Sequence, residues 1–274
     1  MPEGDTIHRI ANRLADLVGQ AIVRVTTQGL VRDLATRTIT AIAAHGKHLV
    51  IDLDDGTAIR THLRMYGRFR REARGAGEAI LARSSPGRIT LAITLPDSVL
   101  LWFGARTVEI SSRRSPMRGM AVAALGPDIL ADHFDSRLAA SRAAQHPARA
   151  IGDVLLDQRV VAGIGNVYKS EVLFLRSVDP RTLIAALSEP VLATIYAEAC
   201  TLMRANLGPG PRTTRVPAPG DLANDDRYFV YGRTNRPCRR CGASIRCYAL
   251  GEPPRWTWSC PDCQPEEAPG GASR

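Results

Sequence analysis

Residues 155–174 read LLDQRVVAGIGNVYKSEVLF. An apolar, helix-like stretch from Val154 to Val161 leads into Gly163-Ile164-Gly165, and a second helical run extends from Val167 to Leu175. Two glycines let the chain turn tightly and leave backbone N–H groups exposed, with Asn166 at the start of the second helix. Such a terminus is a ready phosphate site, through its N–H groups and the helix dipole. The same residues also read as an ordinary helix–turn–helix corner with Asn166 as its N-cap. On either reading the segment anchors a helical region, and Ala- and Leu-rich spacing continues that pattern from Leu125 to Leu207.

Upstream the character changes. Short β-rich runs follow one another at Ile22–Thr26, Thr38–Ala43, His48–Leu53, Ile89–Leu95, Val99–Phe103 and Val108–Ile110. Turn formers such as Asp54-Asp55-Gly56 and Pro96-Asp97 separate them, which predicts a β-sandwich or barrel. Before these strands, Ile7, Ile10, Ala11, Leu14, Leu17 and Val18 recur at helical spacing, with Asp5 or Thr6 to cap the start and Gly19 the end. The polar, basic stretch 111–120 reads as an interdomain linker, and residues 208–227 read as loop.

Downstream, Cys238, Cys241, Cys260 and Cys263 form two CxxC pairs. Four thiolates at this spacing predict one closed, tetrahedral, structural Zn2+ site, which organises the chain rather than catalyses. A module this small cannot bury much core, and the metal supplies the missing stability. Disulfides or a redox pair are the competing readings. Cys247 is left as a spare thiol, and Cys200 falls in an apolar helical stretch as core. Arg255-Trp256-Thr257-Trp258 reads as the second strand of a hairpin with Arg255 near its tip, either a phosphate-gripping fork or a solvated surface arginine. His8, His45, His48 and His62 show no metal-site pattern.

The 274 residues are 45% hydrophobic, enough for two modest domains. Lys and Arg total 36 against 27 Asp and Glu, a net charge of +9 that favours a polyanionic partner. No apolar run approaches the ~20 residues of a membrane span, and no secretory signal is present. A cytoplasmic, nucleoid-associated monomer with no membrane partner is the expectation. The first residues are Met1-Pro2-Glu3. Removal of Met1 would give Pro2 a secondary amine, a strong nucleophile beside a carboxylate.

Taken together these segments resemble the formamidopyrimidine-DNA glycosylase / endonuclease VIII family, from Met1 to about Gln264. The likeness is carried by MPEG at 1–4, GKHLVIDL at 46–53, the 155–174 segment, VYGRTNRPCRRCG at 230–242 and RWTWSCPDCQ at 255–264, all in family order. The resemblance implies a multidomain α+β chain: an N-terminal helix on a β-sandwich (1–115), a helix–two-turn–helix domain (125–220), a zinc-finger β-hairpin (228–264) and a disordered tail (265–274). It implies a DNA glycosylase/lyase acting on damaged DNA, with Pro2 as nucleophile, Glu3 as catalytic carboxylate and Lys47 on the phosphate beside the lesion. It makes Asn166 and Arg255 phosphate clamps, and Arg64, Met65 and Tyr66 the wedge that fills the gap of an extruded base. On local sequence alone, Met65 and Tyr66 read as strand-end core.

Two departures bear on specificity. Asp5-Thr6 stands where many members have Pro-Glu, so a second carboxylate at position 6 is missing. The purine-specific branch carries Arg-Arg-Phe-Gly where this chain has Leu101-Trp102-Phe103-Gly104-Ala105-Arg106. That shifts the expectation to oxidised pyrimidines. An oxidised-purine glycosylase and a non-catalytic nucleic-acid-binding protein are the alternatives.

Overall fold

The computed structural model describes residues 1–85, 87–112, 120–216 and 227–266. Most of the tail expected over 265–274, part of the linker at 111–120 and part of the loop at 208–227 lie outside them. The chain divides into two compact units, Met1–Ala124 and Leu125–Arg274.

The first unit opens with helix α1 (Gly4–Leu14), followed by a short 3-10 turn at Ala15–Leu17. The helix begins before Ile7, where the apolar spacing starts, and its N-cap is Glu3 rather than Asp5 or Thr6. The Glu3 carbonyl accepts the N–H groups of Thr6 and Ile7, so the first turn closes on residue 3. Ile7, Ile10, Ala11 and Leu14 form its buried face, which packs on strands of the first sheet described next.

Among the described residues of this unit nine strands follow: β1 (Arg24–Thr27), β2 (Leu30–Arg32), β3 (Ile39–His45), β4 (His48–Leu53), β5 (Ala58–His62), β6 (Arg68–Ala73), β7 (Ile89–Thr94), β8 (Ser98–Phe103) and β9 (Thr107–Ser111). They form two antiparallel sheets. One has the order β3-β4-β5-β9, with α1 against β3 and β4; the other has the order β2-β1-β7-β8-β6. Alternate residues of β4, Leu49, Ile51 and Leu53, turn inward and meet Val25, Leu91, Ile93 and Trp102 of the other sheet in one core. Trp102 packs edge-on to Phe69 at 4.8 Å.

Helix α2 (Arg74–Arg83) lies on the outer face of the second sheet, over β6 and β8. It covers Val99 and Leu101, with Ile80 and Leu81 completing a small second core.

The first unit ends with the short helix α3 (Met120–Ala123), and the second carries α4 (Ser136–Ala144), α5 (Ile151–Val154), α6 (Asn166–Leu175) and α7 (Glu189–Ala205). Asp135 caps α4, its carboxylate accepting from the N–H groups of Arg137 and Leu138. Tyr168, Val172, Leu173, Leu192, Ile195, Tyr196 and Met203 are fully buried in one helical core. Cys200 is part of that core, as its sequence context implied, and burial pushes its thiol up.

The helix read from Val154 to Val161 stops at Val154. Beyond it, side chains take over the backbone's bonds. Asp157 accepts from the Arg159 N–H at 3.0 Å. The Gln158 amide donates to the carbonyls of Leu156 and Ile164 and accepts from the Gly163 N–H. These contacts build the two-turn corner that delivers the chain to α6. The unit ends in an antiparallel hairpin, β10 (Arg246–Leu250) and β11 (Arg255–Ser259). Among the described residues no helix is long and apolar enough to cross a membrane.

Candidate nucleic-acid interface and active site

In the first unit, Pro2 is half-buried at the mouth of α1 and Glu3 is fully buried as the helix N-cap. The positive end of the helix dipole favours a carboxylate here. Asp5, in the first helical turn, is also fully buried, and Thr6 donates to it at 3.4 Å. The carboxylate absent from position 6 therefore has a buried counterpart at position 5.

Lys47 and Gly46 are the two loop residues of the β3–β4 hairpin, between the paired His45 and His48. Gly46 has φ of +55°, the left-handed conformation that a tight hairpin demands at this position. His48 pairs across the sheet with His62 at the end of β5, and their rings meet edge to face at 4.7 Å. Both imidazoles accept through Nδ1: His48 from the Arg60 guanidinium at 2.6 Å, His62 from the Arg64 N–H at 2.9 Å. Arg60 is in turn forked onto Glu109.

Burial, with positive neighbours His62, Arg60, His45 and Arg64, pushes His48 down to about 3. Burial with Arg64, Lys47 and Arg60 pushes His62 down to about 4. An ordinary histidine titrates near ~6.5. Between that value and the depressed ones, the unfolded chain binds more protons than the folded one, so stability falls as pH drops through this window. Lowering pH from 7.5 to 5 should therefore reduce the melting temperature. A His48→Gln/His62→Gln variant should show a shallower decline over the same range, and an unchanged decline would refute the assignment.

The turn 64–66 joins β5 to β6, and thus one sheet to the other. Arg64 sits at φ +55°, and the Gly67 N–H closes back on the Leu63 carbonyl at 3.0 Å. A Cβ at position 67 would lie 2.2 Å from that same oxygen, so only glycine fits. Met65 is 48% and Tyr66 84% exposed. The strand-end-core reading of these two residues is thereby overturned: the tight turn throws both outward.

In the second unit, Gly165 occupies the N-cap position of α6 and Asn166 is its first residue, not the cap. The Asn166 amide donates instead to the Trp256 carbonyl at 2.6 Å. Asn166 is thereby held beside Arg255, which is exposed at the start of β11 opposite Leu250.

Sequence reading missed two further α6 residues at this junction. Lys169 is fully buried and donates through Nζ to Thr257 Oγ1 at 2.6 Å. Glu171, also fully buried, accepts from the N–H groups of Phe229, Val230 and Tyr231, each at 2.8 Å, and from the Thr214 hydroxyl. Burial pushes its carboxyl up, against donors that favour the ionised form. The only sequence signal was a lysine and a glutamate within an otherwise apolar helical run.

Phe174 at the end of α6 packs with Val230, Cys238, Ile245 and Cys260, so the hairpin module shares its small core with this helix. The ligand atoms of Cys238, Cys241, Cys260 and Cys263 all lie within 4.8 Å of one another and could hold a metal ion. The pairs Cys238–Cys263 and Cys241–Cys260 stand at 3.8 and 3.4 Å. A tetrahedral site with metal–sulfur bonds of about 2.3 Å needs sulfurs at such separations. Cys247 lies outside the cluster, on β10.

Residues 1–106 match the model of the formamidopyrimidine-DNA glycosylase N-terminal domain, and residues 125–217 that of the formamidopyrimidine-DNA glycosylase H2TH domain. Among curated proteins, the chain is 37% identical to one from Streptomyces coelicolor named "Probable endonuclease 8 2", over 99% of this chain and 97% of that one. It is 35% identical to "DNA-(apurinic or apyrimidinic site) lyase Nei2" of Mycolicibacterium smegmatis, over 96% and 99% of the two. Among solved structures, a Lactococcus lactis formamidopyrimidine-DNA glycosylase bound non-covalently to DNA with an abasic site is similar, with a TM-score of 0.76. The two share 25% identity, over 97% of this chain and 100% of that one.

Proposed function

The chain belongs to the formamidopyrimidine-DNA glycosylase family, and from that premise we propose a bifunctional DNA glycosylase and abasic-site lyase of base-excision repair that removes oxidised pyrimidines. The observation that carries the reading is at the N-terminus. Pro2 adjoins the mouth of a helix whose N-cap, Glu3, is a fully buried carboxylate. Full-length relatives named endonuclease 8 and abasic-site lyase support the same activity.

Once Met1 is removed, Pro2 offers a terminal amine. Such amines titrate near ~8, against ~10.4 for lysine, so a useful fraction is neutral at pH 7. The nitrogen attacks the sugar's anomeric carbon, displaces the base and forms an iminium. That cation withdraws electrons, acidifies the adjacent sugar carbon and permits loss of the 3′ phosphate by β-elimination, with δ-elimination of the 5′ phosphate as a further step. Glu3 exchanges protons with the opening sugar ring and the imine.

The anomeric carbon is inaccessible inside a duplex, so the nucleotide must leave the stack, at a cost of a few kcal/mol that is least for a damaged base. Met65 and Tyr66, exposed on a tight turn closed by Gly67, are suited to fill the gap, with Arg64 beside them. Lys47, Asn166 and Arg255 hold phosphates. The four cysteines hold one structural Zn2+, which fixes the hairpin bearing Arg255.

The test is base release and strand nicking on duplexes with thymine glycol or 5-hydroxyuracil, compared with 8-oxoguanine. Faster turnover of the two pyrimidine lesions is expected. Binding to all three without cleavage would overturn the enzymatic reading, and a preference for 8-oxoguanine would overturn the substrate class.

A further inference from the structure

The outer face of the sheet β2-β1-β7-β8-β6 is only partly covered. Helix α2 packs on Val99 and Leu101 but leaves Phe103, at the end of β8, beside an open cleft of about 490 Å³. Arg68, Arg70 and Arg88 line this cleft, and Tyr66 forms its rim. Arg68 lies directly across the ladder from Phe103, and Arg70 two residues further along on the same face. Phe69, between them, points the other way onto Trp102. Arg70 pairs with Glu72 at 2.7 Å, whereas neither Arg68 nor Arg88 has a side-chain partner among the described residues. Three guanidinium groups around an aromatic floor form a surface suited to a polyanion with planar bases.

Topology indicates which polyanion. The turn 64–66 crosses from one sheet to the other. On its β5 side stands Lys47, in the β3–β4 hairpin beside His48, which pairs with His62 at the end of β5. On its β6 side stands the arginine cleft, and Tyr66 belongs to both turn and cleft. A wedge that enters a base stack has one strand on each flank. If Lys47 meets the strand that carries the lesion, the opposite flank faces its complement.

We propose that Arg68, Arg70 and Arg88 form a backbone-binding track for the DNA strand that does not carry the lesion. The proposal rests on the repair reading above. The charge beside Phe103 comes from the neighbouring strand β6 and from the approach to β7, since Leu101 and Trp102 on its own strand carry none.

The test measures dissociation constants against sodium chloride concentration for the full-length protein. One ligand is a duplex with a central tetrahydrofuran abasic analogue, and the other is its lesion strand alone. Each phosphate contact contributes about 0.9 to the slope of log affinity on log salt. Arg68→Ser/Arg70→Ser/Arg88→Ser should lower the duplex slope by about two to three and weaken duplex binding roughly tenfold or more at 0.15 M salt. Loss on the lesion strand alone should be much smaller. A control, Arg24→Ser/Arg32→Ser/Arg106→Ser, removes equal charge elsewhere on this unit and should leave the duplex slope within one of the wild type. An unchanged slope in the first variant, equal losses on both ligands, or equal effects of the two variants would overturn the track. A misfolded variant would be exposed by its melting curve, and Arg68→Ser/Arg88→Ser, which spares the Glu72 pair, must then show a slope loss of about two. Failure of the repair reading looks different: the wild type itself would neither prefer the abasic duplex nor nick a natural abasic site.

Discussion

A chain that retains Met1 should form no borohydride-stable complex with abasic or lesion-bearing DNA, while the processed protein is trapped readily. In the unprocessed chain the Pro2 nitrogen is part of a peptide bond. Its lone pair is delocalised into the Met1 carbonyl, and an amide nitrogen is no nucleophile. The expected loss is several orders of magnitude, comparable to removing the nucleophile of any covalent enzyme. Pro2→Gly separates nucleophilicity from position. It keeps a terminal amine but loses the pyrrolidine ring, which fixes the direction of the nitrogen relative to the Cα–C bond. It also replaces an iminium, cationic from the start, by an imine that must first be protonated. A loss of roughly 10- to 100-fold in the trapping rate is expected, with abasic-DNA affinity nearly intact. Trapping should be followed by gel and the N-terminus of the trapped protein verified by mass. If either variant traps as fast as the processed wild type, Pro2 is not the nucleophile.

The parts of the fold that were legible in the sequence are those governed by local periodicity. Strand β4 occupies His48–Leu53 as its alternation implied, because every second residue is buried. Strand β6 was not foreseen. Its sequence, RFRREA, has one large apolar residue, and the strand exists because six residues pair with β8. Helix α2 was missed for a related reason. Gly75 and Gly77 lower its helix propensity by about 1 kcal/mol each relative to alanine, yet Gly77 is what lets the helix lie on Val99.

The site divides in the same way. The cysteine spacing, the hairpin that carries Arg255 and the glycine corner before Asn166 were all visible in sequence. The partners of Asn166, Lys169 and Glu171 were not, because they lie far along the chain, on β11 and on the non-regular segment 229–231 that leads to the cysteine module. Within an isolated helix, Lys169 and Glu171 look like ordinary surface charges. Only the tertiary arrangement turns them into buried links, Lys169 to β11 and Glu171 to the segment 229–231 that precedes the first cysteine pair.

Those links and the cysteine cluster support each other, and this sets the expected result of removing the metal. Cys260→Ser, or treatment with a strong chelator, should unfold the segment 228–264 while the helical core around Tyr168, Leu192 and Tyr196 persists. The hairpin module's own core is five buried residues, one of them from α6 and two of them cysteines. That is too little apolar area to offset the entropy of ordering the segment. Structural zinc supplies about 10–16 kcal/mol in comparable modules, so its loss exceeds what the α6 contacts can restore. Trp256 and Trp258 both lie on β11, so near-ultraviolet circular dichroism should lose their signal while far-ultraviolet helicity is largely kept. Arg255 loses its fixed place beside Asn166, and affinity for abasic-site DNA should fall by about 100-fold or more, as expected when a charge-assisted phosphate clamp is released. Cys247→Ser is the control, since that sulfur lies outside the cluster. It should keep one zinc per chain by metal analysis and the native tryptophan spectrum. A Cys260→Ser protein that retains both would show that the hairpin is held by α6 alone, with Lys169 and Glu171 carrying the stability assigned here to the metal.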